Sequence, residues 1–408
     1  MLVDYKRIGT KLPACSYSLL RDLTMTDLDQ KLQALRDENL FRERRLLQSP
    51  QGAEITIDNE SLLAFCSNDY LGLASDPRVV AALKRGADDY GVGSGASHLV
   101  TGHSTPHHAL EEELADFIGA ERALVFSTGY MANIGVLSAL MGRGSLIIED
   151  KLNHASLIDA ARLARADSRR YPHGDLARVE QLLQGAEGPT LIATDAVFSM
   201  DGDLAPLPQL MKLARQHGSW LLADDAHGLG VLGEHGRGSF SHFGIGLDDP
   251  IIYTGTLGKA FGTFGAFVAG SDTLIETLLQ TARTYIYTTA LPPAVAEATR
   301  ESLRIVKSED WRRDRLRELI AAFRTGVTEM GLDLMPSDTA IQPIVLGSAE
   351  AALAATSKLR EQGILVPAIR PPTVPIGSAR LRITFSAAHT DAHLEKLLNA
   401  LAELTGAV

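Results

Sequence analysis

The middle of the chain, from about residue 76 to residue 270, alternates segments of helical periodicity with short apolar runs. The runs are continuously apolar, which is typical of strands that are buried on both faces of a sheet. Strands that alternate with helices are joined by crossovers, so this pattern predicts a mostly parallel sheet. The predicted strands are residues 123–126, 145–148, 191–197, 220–223, 251–253 and 265–269.

Two further regions flank this one. Residues 26–47 carry leucines at helical spacing and predict one amphipathic helix, and residues 54–66 predict a short strand pair. Residues 292–331 have helical character. The apolar runs that follow, which alternate with two more helices, predict a small separate α/β unit with strands at 341–346, 364–367 and 381–385.

The pattern of alternating apolar runs and helical segments changes near residue 300, which suggests a boundary between two units. A chain of 408 residues is long enough for two or three domains. We therefore expect an N-terminal helix and strand segment at 1–60, a large domain at 61–305 and a small C-terminal domain at 306–408.

The composition excludes several classes of protein. The chain is 45% hydrophobic and 22% charged, and it has no apolar run of about 18 residues, so we expect a globular protein without a membrane span. A net charge of −11 argues against a nucleic-acid partner. Two cysteines are too few for a disulfide framework, and the N-terminus lacks the pattern of a secretory signal. We therefore expect a cytoplasmic protein.

Polar side chains follow five of the predicted strands, at the point where each apolar run ends. In an open α/β sheet, ligands bind beyond the carboxyl ends of the strands. The five runs therefore predict one site on one edge of the sheet. Its candidate residues are Ser127, Thr128, Gly129, Tyr130, Asp150, Asn153, His154, Ser199, Asp224, Asp225, His227, Thr254, Thr256 and Lys259.

Lys259 stands out among these residues because it lies just past a buried strand. A lysine amine is a nucleophile only when it is neutral, and burial or nearby cations favour that form. Pyridoxal phosphate needs such a lysine for its aldehyde, a carboxylate such as Asp225 for its ring nitrogen, and a cradle for its phosphate. The helix that begins after Thr128 can supply backbone N–H groups for that cradle. Taken alone, Lys259 could equally be a structural lysine.

Longer strings in the sequence carry a resemblance to a known family. The strings SNDYLGL at 67–73, GVGSG at 91–95, DDAHG at 224–228 and TLGK at 256–259 resemble the α-oxoamine synthase family of pyridoxal-phosphate enzymes. The resemblance runs from about residue 30 to the end. It implies the aminotransferase-like fold type I, with a large, mostly parallel sheet domain and a small C-terminal α/β domain.

Two strings near the C-terminus, AIRPPTVP at 368–375 and ARLR at 379–382, are similar to one branch of that family. That branch condenses L-alanine with a pimeloyl thioester, with loss of carbon dioxide, in biotin biosynthesis. The resemblance implies pyridoxal 5′-phosphate as cofactor, and pimeloyl-CoA or pimeloyl-acyl-carrier protein as acyl donor. It also implies a homodimer with shared active sites, in which residues 285–293 reach the neighbouring subunit. The alternatives are a sister reaction with glycine or another acyl-CoA, and a catalytically degenerate subunit that serves only as a partner.

The resemblance also implies roles for the residues of the site. Lys259 is expected to carry the cofactor and to move the Cα proton of the amino acid. The cofactor contacts would come from Asp225 at the ring nitrogen, His227 at the phenolic oxygen, His154 on the ring face, and Gly129, Tyr130, Ser199 and Thr256 around the phosphate and ring. Asp224 is the alternative to Asp225, and a helix cap is the alternative role for His154.

The substrate contacts implied by the resemblance are more widely spread. Arg370 is expected to bind the carboxylate of the amino acid, and Asn68 and Thr373 to lie on the substrate path. Arg42 would meet the far carboxylate of the acyl chain, with Arg44 and Arg45 as alternatives. A solvated helix face is the other interpretation of this basic cluster.

No metal site is predicted. His107 and His108 are neighbours in a helical segment, and successive residues of a helix point in different directions.

Overall fold

The computed structural model describes residues 27–38 and 40–405. Residues 1–26, which include Cys15 and the stretch tested for a secretory signal, lie outside the described residues. The first described helix, α1 (Leu28–Asp37), buries none of its side chains. The predicted helix over 26–47 is therefore wrong beyond residue 37. Residues 40–46 lie in no helix or strand, and Leu47 forms a β-bridge with Ile57, so pairing with the next segment overrides the helical spacing of the leucines.

The predicted strand pair near residue 60 is confirmed as a hairpin. Strands β1 (Glu54–Ile57) and β2 (Glu60–Ala64) are antiparallel, and their inward side chains form a small core cluster with Leu365. This hairpin also pairs with a short strand from the C-terminal part of the chain, so one small sheet contains strands from the N-terminal and the C-terminal parts of the described chain.

The large sheet has seven strands and contains all six predicted ones. They are β3 (Arg122–Phe126), β4 (Leu146–Asp150), β5 (Asp167–Tyr171), β6 (Thr190–Asp195), β7 (Trp220–Asp224), β8 (Ile251–Thr256) and β9 (Ala266–Gly270). The spatial order is β3-β9-β8-β7-β6-β4-β5. Only β9 runs antiparallel to its neighbours, so the carboxyl ends of the other six strands lie on the same edge.

Helices cover both faces of this sheet. They are α2 (Pro77–Tyr90), α3 (Thr105–Ile118), α4 (Gly129–Leu140), α5 (Ala155–Ala164), α6 (Leu176–Gln184), α7 (Leu207–His217), α8 (Ser239–His242), α9 (Asp272–Thr281), α10 (Arg283–Ile286) and α11 (Pro293–Ser308). Successive residues of β3 enter opposite cores, Val125 on one face and Leu124 and Phe126 on the other. Burial on both faces explains why the strands are continuously apolar.

The C-terminal part forms the predicted small α/β unit. It contains α12 (Trp311–Glu329), β10 (Ile341–Gly347), α13 (Ala349–Glu361), β11 (Ile364–Leu365), β12 (Ala368–Ile369), β13 (Ala379–Thr384) and α14 (Asp391–Thr405). Strands β10, β13 and β12 make an antiparallel sheet, and β11 pairs with β2. Among the described residues, no helix combines the length and apolar character that a membrane span requires.

Candidate active site

The amine of Lys259 lies in the loop that follows β8. Its Nζ is 2.8 Å from Nε2 of His227. The pKa of Lys259 is lowered to about 8, mainly by burial; the charges of Asp224 and Asp195 act in the opposite direction, and the charge of Arg382 acts in the same direction as burial. A substantial fraction of this amine is therefore neutral near pH 8, which is the form that attacks a carbonyl.

The loop that carries Lys259 is packed directly on the segment at 67–73. Gly262 has a φ of +64°, and its amide donates to the carbonyl of Lys259 at 2.8 Å. A Cβ at this position would lie 2.3 Å from the backbone nitrogen of Ala74 and 2.5 Å from the carbonyl carbon of Leu73. Only glycine fits both the conformation and the space, so the loop is held in one place.

A chain of hydrogen bonds fixes the tautomer of His227. Its Nδ1 is 2.6 Å from the hydroxyl of Tyr70, and that hydroxyl donates to Oδ1 of Asn68 at 3.1 Å. Burial raises the pKa of Tyr70 to about 12, so the phenol keeps its proton. Burial and the charge of Lys259 lower the pKa of His227, so the ring is neutral. His227 then donates from Nδ1, which leaves Nε2 as an acceptor that faces Lys259.

Asp225 is fully buried, and its carboxylate is turned away from Lys259. It accepts from the amide of Ser239 at 2.7 Å, the hydroxyl of Ser239 at 2.5 Å and the hydroxyl of Tyr253 at 3.0 Å. Burial raises the pKa of Asp225 to about 7 despite these three donors. These contacts anchor the loop after β7 to α8 and β8, which is a structural task.

Asp224, the last residue of β7, has the surroundings that were expected for Asp225. Its Oδ2 accepts from Nδ2 of Asn133 at 2.7 Å, and its Oδ1 accepts from the amide of Ala226 at 3.1 Å. Its charge raises the pKa of both Lys259 and His154, so it lies within electrostatic reach of both. The geometry favours Asp224 over Asp225 as the carboxylate that faces a cofactor ring.

A second carboxylate stands beside Asp224. Asp195 ends the neighbouring strand β6, directly opposite Asp224 in the pairing register. Burial and the charge of Asp224 raise the pKa of Asp195 well above its usual range. Two adjacent carboxylates, Asp195 and Asp224, can both carry a charge only if cations lie close to them, and Lys259 is one such cation. A protonated pyridine nitrogen beside Asp224 would be a second.

His154 serves as a helix cap at the start of α5. Its Nδ1 accepts from the amide of Ser156 at 3.2 Å and lies 2.8 Å from the hydroxyl of Ser156, while its own amide donates to Asp195 at 2.9 Å. Burial lowers its pKa, and the charge of Lys259 lowers it further. The cap therefore holds a neutral imidazole within electrostatic range of Lys259 and Asp224.

The N-terminus of α4 is the predicted phosphate cradle. Thr128 caps this helix by accepting from the amide of Met131 at 3.1 Å, which leaves the amides of Gly129 and Tyr130 in the first turn. A Cβ on Gly129 would meet only Ala266, at 4.0 Å. Ala266 pairs in register with Thr256, so this helix end and the Thr256 hydroxyl lie next to each other. The residues present thus fit pyridoxal phosphate: a lysine, an acid pair and an open helix N-terminus.

Arg382 is a site residue that the sequence argument did not single out. This residue of β13 is buried, and its Nε donates to the carbonyl of Ser199 at 2.5 Å. Its terminal nitrogens donate to Oδ1 of Asn68 at 3.3 and 3.4 Å. Its charge lowers the pKa of both Lys259 and His227. The string ARLR contained this residue, but only the folded sheet shows which arginine points toward Asn68.

The other predicted substrate residues lie farther out. Arg370 is half-buried at the end of β12, and Thr373 is exposed in the turn that follows, where its amide donates to the carbonyl of Arg370 at 3.0 Å. Arg42 is exposed in the irregular segment at 40–46. Of the basic cluster, Arg45 comes within electrostatic range of Cys66, a residue that Arg382 also influences.

These features agree with comparisons to known proteins. The sequence profile of the aminotransferase class I and II family matches residues 60–401. The chain belongs to this family. A chain from Sphingomonas wittichii, a serine palmitoyltransferase, superposes with a TM-score of 0.89 at 32% identity and covers 95% of this chain and 100% of its own. A serine palmitoyltransferase from S. paucimobilis, solved with PLP bound, gives a TM-score of 0.88 at 31% identity over the same shares. The predicted fold type I is confirmed.

Curated relatives are more similar in sequence. The 8-amino-7-oxononanoate synthase of Stutzerimonas stutzeri (strain A1501) is 61% identical over 377 residues, which is 92% of this chain and 96% of the relative. The enzyme of the same name from Thioalkalivibrio sulfidiphilus is 58% identical over 92% of this chain and 97% of its own. A solved 8-amino-7-oxononanoate synthase from Francisella tularensis has a TM-score of 0.74 at 34% identity, over 85% of this chain and 97% of its own.

The lowered pKa of Lys259 has a consequence for stability in the cofactor-free protein. The folded-state pKa of about 8 lies below the ordinary value of 10.5, so unfolding takes up a proton between these values and stability rises with pH across that window. Below pH 8 the ammonium is buried in its charged form, at a cost of about 3–4 kcal/mol. Lys259→Met should therefore raise the melting temperature at pH 7.

The measurement is thermal unfolding of cofactor-free wild type and Lys259→Met from pH 7 to pH 10.5. The gain should shrink as the pH rises through the window. Lys212→Met, at an exposed position on α7, is the matched control and should show no such trend. A gain for Lys259→Met that is constant with pH would contradict the lowered pKa.

Proposed function

We propose that this protein is a pyridoxal-phosphate-dependent acyltransferase of biotin biosynthesis. It condenses L-alanine with a pimeloyl thioester and releases 8-amino-7-oxononanoate, carbon dioxide and the free thiol. The observation that carries the chemistry is the Lys259 amine, held against His227 and opposite the acid pair of Asp224 and Asp195. The choice of substrates rests on the relatives named 8-amino-7-oxononanoate synthase, which are 57–61% identical over 92% of the chain.

The bound cofactor supplies an aldehyde for amines and a ring that accepts electrons from the Cα carbon. Lys259 would hold the cofactor through its amine, and that amine in its neutral form would take the Cα proton of the bound amino acid. Nε2 of His227 accepts from this amine and keeps it oriented. Tyr70 holds His227 in turn, so the proton acceptor is positioned by side chains that are themselves fixed.

Asp224 pairs with the ring nitrogen in this proposal, and Asp225 anchors the loop that carries both acids. An ionised carboxylate beside the nitrogen keeps the ring positively charged, which lets it accept electrons. Asn133 orients this carboxylate from α4, the helix whose N-terminus would bind the phosphate. One helix thereby positions both ends of the cofactor.

Exchanging each acid for its amide separates the two roles. Asp224→Asn should lower kcat/KM by roughly 10²-fold or more, because it removes the negative charge beside the ring, with little change in the melting temperature. Asp225→Asn should instead destabilise the fold by about 1–3 kcal/mol, because a buried acceptor loses its match to three donors, and should keep more activity. Steady-state kinetics and thermal unfolding of both variants test this. If Asp225→Asn were inactive but fully stable, and Asp224→Asn were active, the ring nitrogen would be assigned to Asp225 instead of Asp224.

The substrates are tested by product identification. Purified holoenzyme is incubated with L-alanine and either pimeloyl-CoA or pimeloyl-acyl-carrier protein, and the product is identified by its mass. Glycine with acetyl-CoA or succinyl-CoA, and L-serine with palmitoyl-CoA, are the competing pairs. We expect 8-amino-7-oxononanoate to dominate, with a finite preference for alanine over glycine, since one methyl group in an apolar pocket is worth about 1–3 kcal/mol. A faster reaction of any competing pair would assign the protein to a sister activity.

Two arginines are proposed for the two ends of the substrates. Arg382 binds the carboxylate of alanine, because its buried guanidinium acts on Lys259 and His227. Arg45 rather than Arg42 meets the far carboxylate of the pimeloyl chain, because the charge of Arg45 acts on Cys66, which lies two residues before Asn68.

Michaelis constants separate these assignments. Arg382→Ala should raise the KM for alanine by at least tenfold, as expected when a charge-assisted contact of about 1.5–3 kcal/mol is lost, and Arg370→Ala is the comparison. Arg45→Ala should raise the KM for the pimeloyl thioester and leave that for alanine unchanged, while Arg42→Ala should change neither. If Arg370→Ala raised the KM for alanine more than Arg382→Ala, the alanine carboxylate would be assigned to Arg370. If Arg42→Ala raised the KM for the pimeloyl thioester more than Arg45→Ala, the far carboxylate would be assigned to Arg42.

We also propose a homodimer. Val92, Val100 and Tyr287 are 85%, 73% and 72% exposed, which is unusual for large apolar side chains in one region. The π-helical turn His98–Gly102, which carries Val100, packs against α10, next to Tyr287. This surface includes Tyr287, which belongs to the segment 285–293 that was predicted to reach a second subunit. A two-fold dimer would cover it.

Sedimentation at micromolar concentration should show a dimer for the wild type. Tyr287→Glu places a charge in the proposed interface and should shift the protein toward monomer with a loss of activity. Leu163→Glu, at an exposed position on α5, is the control and should leave the dimer intact. A fully active monomeric wild type would overturn the proposal.

A further inference from the structure

A second polar cavity lies outside the Lys259 site. It has a volume of about 240 Å³ and is lined by residues of α3, β3 and α10, among them His98, His103, His108, Glu111 and Arg122. None of the residues around Lys259 lines it. The histidines stand at three points of one local structure: the π-helical turn, the segment just before α3, and the first turns of α3.

The fixed part of this cluster is the pair formed by His103 and Glu111. Their side chains are 29% and 13% exposed, and Nε2 of His103 faces Oε2 of Glu111 at 4.0 Å. That distance is too long for a hydrogen bond. The other oxygen of Glu111 accepts from the amide of Val125 in β3 at 2.9 Å, which fixes the carboxylate in place. The gap between the two ligand atoms is therefore held open by the fold.

His107 lies close to this pair but is fully engaged elsewhere. Its Nδ1 accepts from the amide of Ser104 at 3.1 Å, so its other nitrogen carries the proton and donates to the carbonyl of Leu291 at 2.5 Å. It caps α3 and ties this helix to the segment before α11. An imidazole with both nitrogens in use has no lone pair to offer a cation.

His108 completes the set from the solvent side. It follows His107 on α3 and points outward, with its side chain 66% exposed, and it lies one helical turn before Glu111. The ligand atoms of His103, His108 and Glu111 all lie within 4.8 Å of one another. Ligands of a tetrahedral ion are about 3.3 Å apart, given bonds of about 2.0–2.1 Å. A rotation of the exposed His108 and a small shift of His103 close that difference.

His98 gives the cluster the support that a metal-binding histidine needs. Its Nδ1 lies 3.1 Å from Nδ1 of His103, and its ring stacks on Tyr285 at 4.9 Å. A ligand histidine donates its second N–H to a fixed acceptor, which sets the tautomer and the direction of the ring. His98 can accept that proton from His103 and so leave Nε2 of His103 directed at Glu111.

We propose that His103, His108 and Glu111 form a binding site for one divalent transition-metal ion of the zinc and cobalt class. Two imidazoles and a carboxylate are ligands that suit these ions rather than calcium or magnesium. The cavity leaves room for water at the fourth position. His107 and His108 point in different directions, as expected of successive residues of a helix. The proposed ligands are therefore His108 together with His103 and Glu111, and His107 is not among them.

A bound ion would join three elements that lie next to the proposed subunit surface. It would connect the segment before α3, through His103, to α3 itself and, through Glu111, to β3. An ion that binds the folded chain and not the unfolded chain raises the melting temperature by an amount that grows with the ratio of the free ion concentration to its dissociation constant. The site is therefore one at which a metal ion stabilises the region that carries Tyr285.

The test uses tag-free holoenzyme titrated with Co²⁺, whose visible absorption between about 500 and 650 nm reports imidazole and carboxylate ligands in a low-symmetry site. We expect one Co²⁺ per chain, displaced by Zn²⁺, and a melting temperature that rises with either ion. His108→Ala should weaken binding at least tenfold, and His103→Ala and Glu111→Gln should abolish the band. His98→Phe keeps an aromatic ring against Tyr285 and should weaken binding roughly 10–100-fold.

His242→Ala, which removes an exposed histidine on α8, is the matched control and should bind like the wild type. Because His108 is exposed, its replacement should not disturb folding, so the proposal can be judged even if the other variants are unstable. Absence of a band in the wild type, or a band and affinity unchanged in His108→Ala and Glu111→Gln, would overturn the proposal.

Discussion

The burial of one amine, that of Lys259, is the constraint on which the rest of the site depends. A lysine in water is almost entirely protonated at neutral pH and is a poor nucleophile. Here the loop after β8 presses the side chain against the neutral ring of His227, and Gly262 allows that loop to lie directly on Leu73 and Ala74. The desolvation that makes the amine reactive is therefore produced by backbone packing.

The sheet supplies the partners of this amine through one simple property. Six of its seven strands end on the same edge, so residues that are far apart in sequence are brought to one place. Asp195 and Asp224 end adjacent strands and repel each other, which prepares the site for a positively charged ring nitrogen. The helix start at Gly129 lies beside Thr256 across Ala266, so the phosphate position proposed here would be set by the same strand register.

Much of the fold could be predicted from the sequence because its signals are local. All six predicted strands of the large sheet were continuously apolar, and the structure buries them on both faces. Strand β5 (Asp167–Tyr171) was missed because it lies at the sheet edge, where of its five residues only Tyr171 is buried. The helix over 26–47 was extended too far because leucine spacing does not reveal that Leu47 pairs with Ile57.

The site was predicted less completely, for reasons of register and distance. The predicted strand ended at residue 223, whereas β7 continues to Asp224. Successive residues at a strand end face opposite sides, so an error of one residue exchanges the roles of two adjacent acids. Arg382 could not be separated from Arg370 because its position beside Asn68 depends on a contact between residues 314 positions apart.

The role of the buried Lys259 amine is tested most directly by locating the lysine that holds the cofactor. Borohydride reduction of the holoenzyme fixes pyridoxal phosphate to the amine that carries it, and peptide mapping by mass spectrometry identifies that residue. We expect a single labelled peptide that contains Lys259, and no label in Lys259→Ala. A label on another lysine, or an equal label in Lys259→Ala, would contradict it.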